Sequence, residues 1–401
     1  TKTIIKSEAQ MDTISYKKCI ELLHDVSSDH GFLASAENTS NYKRVWARDG
    51  VICGLAALAS DDEKLIQTFR ITLETLANNQ HKIGTIPSNV LINEETIEVS
   101  YGGLAGRVDA VTWFIIGICQ YTFHTKDNSL IVKYEEIIEK ALQLLDAWEF
   151  NNKHLIYVPL SGNWADEYIT DGYVLYDQLL RIWALKNYYN FKKCEKLFLK
   201  INCIEEQVLS NFFPNSNHEK FHQRAYNEVE FKSFLPCSFS PSGYKNQFDA
   251  FANSLLLLLN IGSGKVHQEI IKFSWELASN TKLGLVPAFW PPIFESDQYW
   301  DLLKNNCKYE FRNFPYEFHN GGSWSMVNGF FALGLLTHLE SEKAKIILNN
   351  INNANATKGY SFYENFNTES VEPNGVSYCA WSAAAAVLVH QAIYNNFKIF
   401  I

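Results

Sequence analysis

No block of lysine or arginine longer than a pair occurs in the 401 residues, and the formal net charge is −9. Nucleic acid and anionic membrane both ask for a cationic face, so the composition argues against each and favours a neutral or cationic small molecule. No segment reaches eighteen apolar residues without a charged or polar break, and the amino end holds no apolar core of signal-peptide length. The chain is therefore expected to be cytoplasmic, without a membrane span. The eight cysteines include no Cys-x-x-Cys and lie mostly inside helical patterns, which predicts buried thiols instead of a zinc site or a disulfide frame. A Gly-rich phosphate loop, a Gly-x-Ser-x-Gly elbow and a His-Glu-x-x-His pair are also missing. No metal or cofactor is expected. No low-complexity linker or change of composition divides the chain, so residues 1–401 read as one domain, with homo-oligomerisation left open.

What is present is a large apolar fraction, 47%, with 14% aromatic residues, enough to bury a sizeable core. Apolar periodicity near 3.6 with helix start and stop signals predicts about twelve helices, from residues 9–28 to residues 378–396. Strand signals are weak and confined to loops. Tight connections follow the even-numbered helices and long ones the odd-numbered, and two helices joined by a tight turn form a hairpin. Strict alternation places all the long loops at one end, so the predicted fold is all-α: an (α/α)6 toroid with long active-site loops on one side. The last helix carries alanine at four consecutive positions, 383–386, where close neighbours are required, while the helix near 129–148 has one wet and one dry face.

Long loops in a compact domain are usually functional, and these are rich in aromatic residues that disordered segments avoid. The first leads into Trp46-Ala47-Arg48-Asp49, where a guanidinium and a carboxylate beside an apolar platform suit vicinal sugar hydroxyls; a local ion pair capping the helix is the plainer reading. Asp109 opens a very apolar helix, as a helix cap would. Asp166, in Asn163-Trp164-Ala165-Asp166-Glu167-Tyr168, and Glu364, in Tyr363-Glu364-Asn365-Phe366, each set a carboxyl among aromatics. Glycoside hydrolysis needs such a pair on opposite sides of the scissile bond, though solvated loop acids would look the same. Trp290, in a proline-rich loop, precedes the stretch His319-Asn320-Gly321-Gly322-Ser323-Trp324, whose glycines free the backbone and whose Ser323 is placed to cap a helix.

Residues 319–324, the pattern Asn-Tyr-x-x-Val-Trp-x-Arg-Asp at 41–49, Gly-Arg-Val with a following Asp and aromatic pair at 106–114, and the aromatic-flanked Glu364 resemble the alkaline and neutral invertases of glycoside hydrolase family 100, in the same order and over about residues 40–395. The resemblance implies an inverting hydrolase that cleaves a terminal α-glucosidic bond of sucrose or a related sugar without a cofactor. It places the general acid on Asp166 and the general base on Glu364, with their carboxyl groups roughly 6.5–9.5 Å apart. It puts Arg48 and Asp49 on the glycone hydroxyls and Asp109 and His319 around the same subsite; on the residues alone Asn320 is expected beside them, and Trp46, Trp164, Trp290 or Trp324 is expected to stack on the sugar. The chain departs from the family pattern in having Glu167-Tyr168 where two arginines usually follow the acid, Tyr363 for a proline before the base, and Ser325 for a proline after Trp324. The first departure predicts a leaving group other than that of sucrose. Epimerisation through His319, or carbohydrate binding without catalysis, stays open on the residues alone.

Overall fold

A helix that is apolar on every side needs neighbours all round, whereas a single apolar stripe asks for one buried face. The chain supplies the two kinds in alternation. The computed structural model describes residues 2–401, with side chains from residue 13 onward. Its long helices are α1 (Lys2–Asp25), α2 (Ala47–Ser60), α3 (Glu63–Asn78), α4 (Asp109–Thr125), α5 (Glu135–Ala147), α6 (Leu175–Phe191), α7 (Glu195–Phe212), α8 (Ala250–Leu259), α9 (Gly264–Ser279), α10 (Ser325–Thr337), α11 (Ser341–Asn355) and α12 (Ala380–Tyr394). Each even-numbered helix packs on the next, and α12 returns to α2, so these close a ring. The odd-numbered helices lie outside it, α1 against α12 and each of the others against its hairpin partner.

The burial follows this division. Every residue of α8 is buried, whereas α5 buries only Ile138, Ala141, Leu144 and Leu145. Close approach within the ring needs small residues: a Cβ added at Gly329 of α10 would lie 2.6 Å from the Ala385 Cβ of α12. The turn between α2 and α3 shows a local cause of the hairpins. Asp61 takes the left-handed conformation at φ 56°, and the Asp62 carboxylate then accepts from the backbone N–H groups of Lys64 (3.0 Å) and Leu65 (3.1 Å) to start α3.

The expectation of a purely helical class needs correction. Short strands form four sheets, and every strand among the described residues lies in one of the long connections. The largest sheet orders Phe289–Trp290, Gly243–Asp249, Pro236–Ser240, Gly172–Val174 and Tyr157–Val158, all antiparallel, and so ties three neighbouring connections together at one end of the ring. At the other end the chain's last residues fold across the helix ends. The Phe400 carbonyl accepts from Trp183 Nε1 (3.0 Å) and from the Gln120 and Asn187 amides, and the Phe400 ring stacks on Phe123 at 4.1 Å. Between the two ends the ring is filled with aromatic side chains, Trp113 lying against Trp183 (5.6 Å), Phe330 (6.0 Å) and Phe251 (6.4 Å).

Candidate active site

The long connections enclose a cleft of about 670 Å³ above the amino ends of the inner helices, a size suited to a small organic ligand. Asp166 and Glu364, from the connections before α6 and α12, both line it.

Glu364 is 3% exposed. Its backbone N–H donates to Val376 O (2.9 Å), at the base of a hairpin pairing Asn365–Phe366 with Pro373–Asn374. Gly375 closes this hairpin at φ 73°, and a Cβ there would lie 2.4 Å from Glu364 Oε2, so the position needs glycine on both counts. The Tyr42 hydroxyl donates to both carboxylate oxygens, at 2.9 and 3.1 Å. Burial lifts the Glu364 pKa to about 7, against the Tyr42 bond and the nearby Arg312, which favour the charged form.

Asp166 sits in a wetter place, its side chain 36% exposed. Asn163 orders the turn beneath it, accepting from Ala165 N (3.0 Å) and donating to Asp177 at the start of α6 (3.0 Å). Arg107 donates through Nη2 to Asp166 Oδ2 (3.0 Å) and through Nη1 to the carbonyls of Ser161 (2.6 Å) and Ala105 (2.9 Å), so the carboxylate is held by an arginine that is itself held. The next two residues part company. Glu167 faces the cleft, where Arg312 donates to its Oε2 through Nη2 (2.8 Å) and Nε (3.1 Å), while Tyr168 is fully buried and stacks on Phe289 at 3.9 Å.

Six further expected residues line the cleft: Trp46, Arg48, Asp49, Trp164, His319 and Trp324. The local Arg48–Asp49 pair is loose at 4.0 Å, and Arg48 instead donates to both oxygens of Asp109, at 3.0 and 3.2 Å. Tyr176 completes the set, donating to Asp109 Oδ2 (2.9 Å) while accepting from Trp113 Nε1 (2.9 Å). Asp109 thus opens α4 as expected, but it is fully buried beneath the cleft, fixing Arg48 from below. Burial also raises Asp49, to about 6, against the opposing charge of Arg48. His319 stacks on Phe318 (3.9 Å) and against Trp324 (5.4 Å), and burial, with Arg312 and Arg48 nearby, pushes its pKa well down. It is a neutral ring in the wall, with its buried Nδ1 unpartnered among the described residues.

Besides Asp109, two more expected residues lie outside the lining. Asn320 is fully buried and braces the backbone, donating to the carbonyls of Ile293 (2.9 Å) and Asn313 (3.0 Å) and accepting from Ile293 N (2.7 Å). Trp290 packs near Tyr316, at 6.0 Å, in the edge strand of the large sheet. Ser323 does not cap α10 either: its backbone pairs with Phe366 in both directions, its hydroxyl meets Thr368 (3.3 Å), and the helix starts at Ser325. The structure adds Tyr42, Arg107, Glu167, Arg312, Phe318 and Trp381 to the lining. Tyr42 and Arg107 stand inside the motifs at 41–49 and 106–114, whereas Arg312 and Trp381 have no motif that would have singled them out.

A family model described as alkaline and neutral invertase matches residues 25–276, more than half of the chain. The span takes in the motifs at 41–49 and 106–114 and Asp166, and ends before residues 319–324 and Glu364. No curated protein matches the chain. Among solved structures, a GH63 mannosylglycerate hydrolase from Thermus thermophilus in complex with glucose is similar at TM-score 0.66 and 11% identity, over 93% of this chain and 99% of that one. A wild-type glycosidase aligns at TM-score 0.66 and 9% identity, over 97% and 98% of the two chains. A rhamnosidase from Klebsiella oxytoca with rhamnose bound aligns at TM-score 0.59 and 13% identity, over 92% of this chain and 64% of that one. At these identities the likeness speaks for the fold alone.

Proposed function

Because the chain belongs to the alkaline and neutral invertase family and is a glycoside hydrolase, we propose that it removes a terminal α-linked glucosyl unit from a small sugar with inversion. One observation carries this reading: Asp166 and Glu364, far apart in sequence, line one cleft in unlike surroundings, one partly open and one buried. Glycoside hydrolysis by inversion needs two such carboxyls, an acid for the leaving oxygen and a base for the attacking water.

In this mechanism Asp166 enters the reaction protonated on Oδ1, with Oδ2 anchored by Arg107, and gives that proton to the glycosidic oxygen as the C1–O bond breaks. Glu364, oriented by Tyr42, takes a proton from a water whose oxygen bonds to C1 on the opposite face. The products are β-glucose and a free alcohol. Arg48, fixed by Asp109, and Asp49 hold the glucosyl hydroxyls, and Trp46, Trp164, Trp324 and Trp381 offer apolar faces to the sugar. His319 serves this subsite as a buried neutral wall, a poor station for the carbon-bound proton of an epimerase.

The test is glucose release by the purified protein from sucrose, trehalose, maltose, isomaltose and glucosylglycerate, with the first-formed anomer followed by NMR. Asp166→Asn and Glu364→Gln should each lower kcat by about a hundredfold or more. First-formed α-glucose would overturn inversion, and full activity in either variant would overturn the role given to that residue.

A further inference from the structure

The leaving-group end of the cleft holds an ion pair that the hydrolytic steps do not use. Resting on the assignment of Asp166 as the acid, we propose that Glu167 and Arg312 determine specificity there, selecting a neutral polyhydroxyl leaving group and rejecting one that carries a carboxylate or phosphate. Glu167 follows Asp166 directly and lines the same cleft. Its Oε2 takes two bonds from Arg312, and Asn313 Nδ2 donates to the Glu167 carbonyl (2.6 Å), so both partners are tied together through side chain and backbone. The guanidinium also lies over the Phe318 ring, 4.2 Å from its centroid, which fixes its plane.

The remaining charges of the cleft leave an anion little to bind. Acidic and cationic side chains line it in equal number. Arg44 pairs with Glu98 (3.2 Å), Arg48 with Asp109 (3.0 Å) and Arg107 with Asp166 (3.0 Å). Lys308 lies exposed at the rim over the Tyr309 ring, where solvent screens it. A carboxylate arriving beside Asp166 would meet a guanidinium already neutralised by Glu167, whose side chain, 13% exposed, would face it as a like charge. Hydroxyl groups can donate to Glu167 and accept from Arg312 with the pair intact. A glutamate at the place where the family pattern has arginine therefore changes which leaving groups fit while Asp166 and Glu364 stay in place.

Glucosylglycerol and glucosylglycerate make a matched pair of probes, differing by a hydroxymethyl against a carboxylate. Their dissociation constants would be measured by calorimetry in the Glu364→Gln background, where turnover is blocked. Glucosylglycerol should bind at least about tenfold more tightly. Adding Glu167→Gln should bring the ratio to unity or reverse it by freeing Arg312, and adding Arg312→Gln should widen it by leaving Glu167 alone. Shifts of opposite sign cannot come from general damage to the fold. An unchanged ratio in both variants, preference for glucosylglycerate without any change at Glu167, or binding of neither probe would overturn the proposal. Absence of glucose release by the unaltered protein from every substrate would instead sink the hydrolytic reading and leave the binding ratio to be judged on its own.

Discussion

Burial lifts the Glu364 pKa to about 7, and in the base role proposed for it the carboxyl works only when ionised. Activity should therefore fall on the acid side, with an inflection near pH 7 in the profile of kcat/KM. The Tyr42 hydroxyl stabilises the ionised form, so Tyr42→Phe should move that inflection to higher pH, and an unmoved profile would separate Tyr42 from the base. Asp166 and Glu364 could be picked out of the sequence because each stands among aromatics in a long loop. Their partners could not. Tyr42 stands in the motif at 41–49, but its bond to Glu364 spans 322 residues, and Arg312, which reaches Glu167 across 145 residues, has no motif at all. The Arg48–Asp49 doublet shows only the looser of two ion pairs, at 4.0 Å, while Asp109 meets Arg48 at 3.0 Å because α2 and α4 are neighbours in the ring.

Helices were legible where their faces differ. The run of alanines at 383–386 correctly foretold close packing, and Gly329 lies across from it in α10. Gly329→Val would force α10 and α12 apart, and such overpacking costs about 1–3 kcal/mol, visible as a lower urea midpoint; an unchanged midpoint would mean that the two helices shift freely. Strand signals are confined to the loops, where the sheets do lie, and they are weak where strands such as Val45–Trp46 and Asn365–Phe366 are two residues long, too short for any alternation to show. Ser323 misled for a related reason. A serine before an apolar run looks like a cap, but pairing with Phe366 holds it extended and delays the helix to Ser325.

The ring itself was readable from loop lengths alone, since tight and long connections alternate without a break, although the closure of α12 on α2 is a contact that no spacing reveals. The aromatic filling and the returning Phe400 tail join helices from different hairpins. Urea unfolding should give coincident transitions by tryptophan fluorescence and by far-ultraviolet circular dichroism; two separated transitions would show that the hairpins melt in groups. An open stack of helix pairs has two frayed ends, and its stability grows from repeat to repeat like a chain of dominoes. A closed circle has no first or last repeat. Each hairpin is an interior one, buttressed on both sides, so the loops that carry Asp166 and Glu364 stand on supports of equal rank, wherever along the polypeptide they happen to be encoded.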